Sequence, residues 1–284
     1  MEITPHTTRY TIRHGECDPL QHVYTGSYLR LMNEASVEAF QASGMKMQDQ
    51  NKVWIPALTY FDMNLPLHQG EEIDIEVLPV SSAENYLSFD YTFRRQDGTV
   101  TTNGSINWRL QDPSPAKEAQ RTSQEKASPP FESHVPEPHA LTTPPTGVIQ
   151  HQVPVGWCDI SQEQVIYSAR YMDTMVNAAM QAGTTYNWTW ERLHEVGFVF
   201  VAKKQWLAYL ASAGLSDQIL VTTWLARVRR STALRQYRIH RVADGLLLAE
   251  GHTLFVTIDM HSGRPVRIPE IFIKDLAEHI SPDG

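Results

Sequence analysis

Apolar and polar residues alternate at two different periods along the 284-residue chain, and each change of period marks a new element. Tyr28, Met32, Ala35 and Ala39 recur at i, i+4, i+7 and i+11, one face of a helix, while Arg30, Asn33 and Glu34 lie off that face. The pattern predicts a helix over 26–43, with Thr25 as N-cap and Gly44 near its end, after an extended segment over 10–14. Beyond it the period falls to two. A mostly apolar run covers 54–63; Ile73, Ile75 and Val77 alternate with Asp74 and Glu76; Leu87, Phe89, Tyr91 and Phe93 alternate with Ser88, Asp90 and Thr92. Asp97-Gly98 is a hairpin signal that turns the chain into a last strand over 99–110. The predicted order is strand, helix, four strands.

The same order returns about 140 residues later. Tyr167, Tyr171, Met175, Ala178 and Ala182 repeat Tyr24, Tyr28, Met32, Ala35 and Ala39 without a gap, and Cys158-Asp159 repeats Cys17-Asp18 with two more residues before the tyrosine. This predicts a helix from about 168, a short helix over 187–195, and strands over 198–210, 219–228, 234–241 and 246–258, the last entered through Asp244-Gly245. A closing helix is expected after Pro269. In each copy, two alanines in the stripe let a sheet approach closely, so the favoured architecture is α+β: one buried helix wrapped by an antiparallel sheet, twice.

Between 111 and 146 the composition changes to proline, serine, glutamate, lysine and threonine, which removes backbone donors and buries little. The chain therefore divides into an N-terminal unit (1–111), a Pro-rich linker (112–147) and a C-terminal unit (148–284), and such a linker is long enough for the units to pair as an intramolecular pseudo-dimer. Two cysteines, placed alike in the two copies, read as small core residues and point to a reducing compartment. No stretch approaches the roughly 20 apolar residues of a membrane span, and no N-terminal apolar run resembles a signal peptide. A cytoplasmic protein is expected. The formal charge of −8 argues against a nucleic-acid binder.

The segment from Gly15 to Tyr28, GECDPLQHVYTGSY, resembles the signature of the 4-hydroxybenzoyl-CoA thioesterase family, a branch of the hotdog-fold superfamily. The matched features are an aspartate, a short loop with His-Val, and a tyrosine opening the helix; the usual glycine before the histidine is Gln21 here. The resemblance covers both units and implies tandem hotdog domains, with a site between them that cleaves an acyl-CoA or acyl-carrier-protein thioester to acid and thiol. It puts Asp18 in the catalytic position, as a base toward water or as the nucleophile, with His22 beside it. Free N–H groups at a helix start can stabilise the developing oxyanion, which makes Thr25 and Gly26 candidates. Tyr24 and Tyr28 are candidate substrate contacts. From the family arrangement, Phe200, Ala202, Lys203 and Gln205 are expected to face Asp18, and Thr59 and Tyr60 to face Asp159.

The second copy lacks the histidine, so Asp159, with Tyr167 and Ser168, is expected to mark a remnant or a second site, and the working site to be built on Asp18. Arg229, Arg230 and Arg235 belong to the densest basic segment and are candidates for the phosphates of coenzyme A or for an acidic carrier, against the plainer reading of a charged strand edge. No metal or redox cofactor is expected; coenzyme A enters only as part of the substrate. The resemblance also admits a homodimer of double-hotdog chains. Two rivals stand beside hydrolysis: a hotdog enoyl-thioester hydratase or dehydratase, and a non-catalytic acyl-thioester binding module.

Overall fold

The computed structural model describes residues 4–49, 52–111, 135–136, 139–162 and 164–283. Most of the expected linker lies outside them. The first unit contains β1 (His6–Thr11), α1 (Thr25–Ala42), a two-residue β2 (Gln48–Asp49), β3 (Lys52–Met63), β4 (Glu72–Ala83), β5 (Tyr86–Arg95) and β6 (Val100–Gln111). The second contains β7 (Ile149–Pro154), α2 (Ser168–Thr185), α3 (Trp190–Val196), β8 (Phe198–Tyr209), β9 (Gln218–Val228), β10 (Thr232–Arg241), β11 (Leu247–Asp259) and a closing α4 (Glu270–Asp275).

All main strands join one antiparallel sheet in the order β1-β4-β5-β6-β3-β8-β11-β10-β9-β7. The order is its own mirror image: β1, β4, β5, β6 and β3 answer to β7, β9, β10, β11 and β8. The halves meet where β3 pairs with β8, from Leu58 opposite Ala208 to Asp62 opposite Lys204. Two hotdog domains in tandem are therefore fused through a shared sheet.

Each helix lays its predicted stripe on this sheet; Met32, Ala35 and Ala39 are fully buried, as are Ala178 and Ala182. The sheet carries a glycine under each methionine. A Cβ on Gly104 would stand 2.8 Å from the Met32 methyl and 3.0 Å from the Tyr60 carbonyl oxygen, and one on Gly251 would stand 2.5 Å from the Met175 methyl. Backbone and side chain could not both keep their places. One apolar cluster runs through both halves, and a smaller one, around Trp188, Phe198 and Phe272, lies beneath α4.

The helices also touch each other. Gly26 in the first turn of α1 lies against the carboxylate of Asp173, which pairs with Arg30, and Asn33 Nδ2 donates to Ser168 Oγ at the start of α2, 2.7 Å away. The small residue at 26 admits the other helix. Thr25 is the first helical residue rather than the cap, which is Tyr24.

Candidate active site

Before each helix the chain makes the same short hairpin. In the first unit Cys17 bridges Val23, the Asp18 amide donates to the His22 carbonyl (2.7 Å), the Gln21 amide to the Asp18 carbonyl (2.8 Å), and the Tyr24 amide to the Glu16 carbonyl (2.9 Å). In the second, Ile160 bridges Ile166, Ser161 donates to Val165, Gln164 to Ser161, and Tyr167 to Asp159. Gln21 and Gln164 both have φ of 63°. The loops are equal in length, and the counterpart of Asp18 is Ser161.

This corrects the sequence alignment of the two Cys-Asp pairs. Asp159 answers to Glu16: Asp159 Oδ2 takes the Gly156 amide (2.8 Å) as Glu16 Oε2 takes that of Arg13 (2.7 Å). Cys158 answers to Gly15, Cys17 to Ile160, and His22 to Val165. Backbone hydrogen bonding sets this register, and the second Cys-Asp pair lies two positions before it. Both cysteines are free; Cys17 is half-buried and Cys158 exposed.

The Asp18 carboxylate is half-buried. Its Oδ1 accepts the amides of Leu20 (2.8 Å) and His22 (3.0 Å), and Oδ2 has no partner among the described residues. Burial raises its pKa, opposed by those two amides and by the neighbouring His22 and His68. Burial likewise lowers the pKa of His22, so its imidazole is neutral near pH 7. His68, which sequence patterning did not single out, stands edge-on to His22 at 5.3 Å and meets the Gln21 carbonyl through Nδ1 at 3.1 Å. Only the fold brings it there: the 64–70 loop is held against the hairpin by the Val23 amide on the Leu67 carbonyl. The amides of Thr25 and Gly26 at the start of α1 have no acceptor among the described residues. A proton-hungry carboxylate, a neutral histidine and unsatisfied helix-start donors thus share one corner.

The other expected residues are distributed differently. Tyr28 is core, 2% exposed between Phe61 and Phe93, its hydroxyl taking the Leu67 amide (3.3 Å) and its pKa pushed up to about 12 by burial. It braces the 64–70 loop. Tyr24 is exposed. Lys203 spans the seam from the second unit to the Met63 carbonyl (3.0 Å) and Asn64 Oδ1 (2.7 Å), at the root of the loop that carries His68. Phe200 packs on Phe272, ring centroids 4.9 Å apart, in the cluster under α4 rather than against Asp18. Arg229 and Arg230 are exposed at the β9–β10 turn, but Arg235 is buried, donating to Thr223 Oγ1 (3.4 Å) and His279 Nε2 (2.8 Å). Arg235 is therefore removed from any phosphate-binding face.

At the second corner Asp159 Oδ1 is paired with Arg170 Nε at 3.1 Å, while Tyr167 is exposed and Ser168 buried. Thr59 does reach this corner, beside Tyr209 and Ser168. No group of three or more metal-ligating side chains occurs among the described residues.

The thioesterase-like superfamily model matches residues 12–108 and 153–277, that is, both units with their hairpins. The chain belongs to this superfamily. It is accordingly a thioester hydrolase built as a double hotdog. Among curated proteins it resembles the acyl-CoA thioesterase YbgC of Haemophilus influenzae, with 29% identity over 107 residues, 37% of this chain and 77% of the relative. Among solved structures it resembles one from Lactobacillus plantarum provisionally named an oleoyl thioesterase (TM-score 0.68, 14% identity, 90% of this chain and 97% of the other). The 12:0-ACP thioesterase of Umbellularia californica is also similar (TM-score 0.65, 12% identity, 89% and 94%). At these identities the structural likeness speaks for the fold. No helix among the described residues is long and apolar enough to cross a membrane.

Proposed function

We propose that the chain hydrolyses an acyl thioester of coenzyme A or of an acyl-carrier protein at the Asp18 corner, with Asp18 supplying the carboxylate that activates attack. The single observation that carries this reading is the half-buried Asp18, one oxygen held by two amides and the other without a partner among the described residues, with its proton affinity raised by desolvation. Water attacks the carbonyl carbon and gives its proton to Oδ2, or Oδ2 attacks first and water then opens the mixed anhydride. In either course the C–S bond breaks and the thiolate takes up a proton to leave as thiol. The Thr25 and Gly26 amides, at the positive end of α1, meet the developing oxyanion. His22, as a neutral ring, and His68 beside it line the approach and can orient water or the thioester. The acyl-CoA activity in the name of the Haemophilus relative and the acyl-carrier activity in that of the Umbellularia structure support this substrate class.

The test is thiol release, followed with a colour reagent over a panel of acyl-CoAs and an acyl-carrier protein. Asp18→Asn is expected to lose at least about a hundredfold in kcat. Near-wild-type rates in that variant would sink the proposal, and loss of enoyl absorbance without thiol would favour the hydratase. If exposed Arg229 and Arg230 receive phosphate or an acidic carrier, 0.5 M salt raises KM severalfold and leaves kcat unchanged. An unmoved KM removes them from the binding face.

A further inference from the structure

The second corner has lost the carboxylate but not the space. A cavity of about 560 Å³ lies between the start of α2 and the facing wall of the first unit, formed by Val37 of α1 and by Trp54, Ile55 and Pro56 of β3. Its size is that of a small-ligand site. Where the first corner has Asp18 and His22, this one has Ser161 and Val165, and of the carboxylates that line the cavity Asp159 is held by Arg170 and Asp173 by Arg30, while Glu34 is exposed.

Polar groups nevertheless converge at one end of it. Tyr209 is 5% exposed; its hydroxyl lies beside those of Thr59 and Ser168 without closing a hydrogen bond of good geometry. Thr59 Oγ1, fully buried, likewise has no hydrogen-bond partner among the described residues. Because Asn33 Nδ2 donates to Ser168 Oγ, the Ser168 hydroxyl proton is directed elsewhere. The amides of Ser168 and Ala169 have no acceptor among the described residues. Buried donors without partners are costly, and a single carbonyl or carboxyl oxygen at this end would satisfy several at once. The strand register shows that these groups are particular to this corner: Gly104 opposite Phe61 corresponds to Gly251 opposite Leu207, so Tyr209 stands where the first unit has Met63, and Gln205 where it has Thr59.

We infer that this cavity is a second binding site, which takes the acyl group of a long-chain acid or thioester with its carbonyl oxygen on Tyr209 and Ser168, and holds it without hydrolysis. The apolar wall receives the chain, and the corner has donors for the head, while the two carboxylates on the α2 side of the cavity are held in ion pairs, Asp159 by Arg170 and Asp173 by Arg30, and Glu34 stands solvated on the exposed side of α1. The inference does not require the assignment of Asp18, since the cavity lies at the opposite corner.

The experiment is calorimetric titration of the full chain with S-dodecyl-CoA, a thioether that cannot be cleaved, and separately with dodecanoate. Wild type and Asp18→Asn are both expected to bind two molecules of at least one probe. Binding of the thioether identifies the intact thioester as the occupant, and binding of dodecanoate alone identifies the released acid. Val37→Trp, which fills the cavity from the half-buried face of α1, is expected to bind one molecule fewer and to keep the wild-type kcat. Tyr209→Phe keeps the volume and is expected to weaken the second site about tenfold. No binding to the wild-type chain, or stoichiometry and affinity unmoved by both variants, would overturn the inference, whereas a single molecule lost in Val37→Trp would support it and count against the Asp18 corner instead. Hydrolysis by Asp18→Asn, measured separately, reports on the other corner alone.

Discussion

Asp18 is a side chain whose environment works against its own charge. Folding buries the carboxyl and raises its pKa, and the amides of Leu20 and His22 recover only part of the lost hydration. The folded chain thus binds this proton more tightly than the unfolded chain does. Its contribution to stability is complete below the ordinary aspartate pKa and is lost as pH rises through the raised one. Asp18→Asn keeps an oxygen for the two amides and discards the charge, so it is expected to raise Tm at pH 7 by about 1–3 °C while thiol release falls at least about a hundredfold, with the gain in Tm vanishing near pH 4. Thermal melts of both proteins at the two pH values check this. The same raised pKa places the acid limb of kcat/KM above the range of a solvated aspartate, and Asp18→Asn should leave no such limb in its residual rate. Single-turnover hydrolysis in 18O-water tests the nucleophilic course: label in Asp18 marks a nucleophile whose anhydride is opened at the Asp18 carbonyl.

Among the elements, the contact between α1 and α2 is where the two units depend on each other most locally. Gly26 has no room for a side chain because the Asp173 carboxylate occupies it, and Asp173 is held there by Arg30 although burial raises its own pKa. Gly26→Ala is expected to cost about 1–3 kcal/mol in urea unfolding, since Asp173 must leave both its place and its partner. Asp173→Ala combined with Gly26→Ala should cost less than the sum of the two single changes. Period and turn chemistry were enough to read both long helices and the long strands, because a stripe at 3.6 or 2 residues survives whatever it packs against; the pattern puts the opening strand over 10–14, whereas β1 runs from His6 to Thr11 and a short helical turn follows at His14–Glu16. The hairpins were harder. Two residues of false insertion made Asp159 a twin of Asp18, since letters carry no hydrogen bonds and the Tyr167 amide on the Asp159 carbonyl is what settles the register. His68, Tyr209 and Asn33 gave no local signal, and each enters a site only through a contact across many residues of chain.

For the whole molecule, the sheet and one apolar cluster cross the boundary between the units, while closure of the second unit depends on the chain's last segment. Residues beyond α4 run back over β9 and β10: Ser281 Oγ donates to the Thr143 carbonyl (2.8 Å), the Ser281 amide to the Leu225 carbonyl (2.8 Å), and Thr142 joins Gln236 and the Trp224 indole. His279 ties this layer together. Buried, it accepts from Arg235 at Nε2 and donates from Nδ1 to the Gly147 carbonyl (2.8 Å), an arrangement only the neutral ring can make. Burial, with the Arg235 charge, lowers its pKa to about 3. A histidine depressed on folding stabilises fully above its unfolded pKa near 6.5 and loses that contribution as pH falls toward the folded value. Between pH 6.5 and 4.5 this one ring is expected to remove about 2–3 kcal/mol of stability. His252, brought down to about 4 by burial, adds a second loss over the same window. His279→Gln can still accept from Arg235 but does not titrate, so urea unfolding should show a lower stability at pH 6.5 and a shallower fall toward pH 4.5. An equal fall in both proteins would show that the tail does not sense protons through this ring.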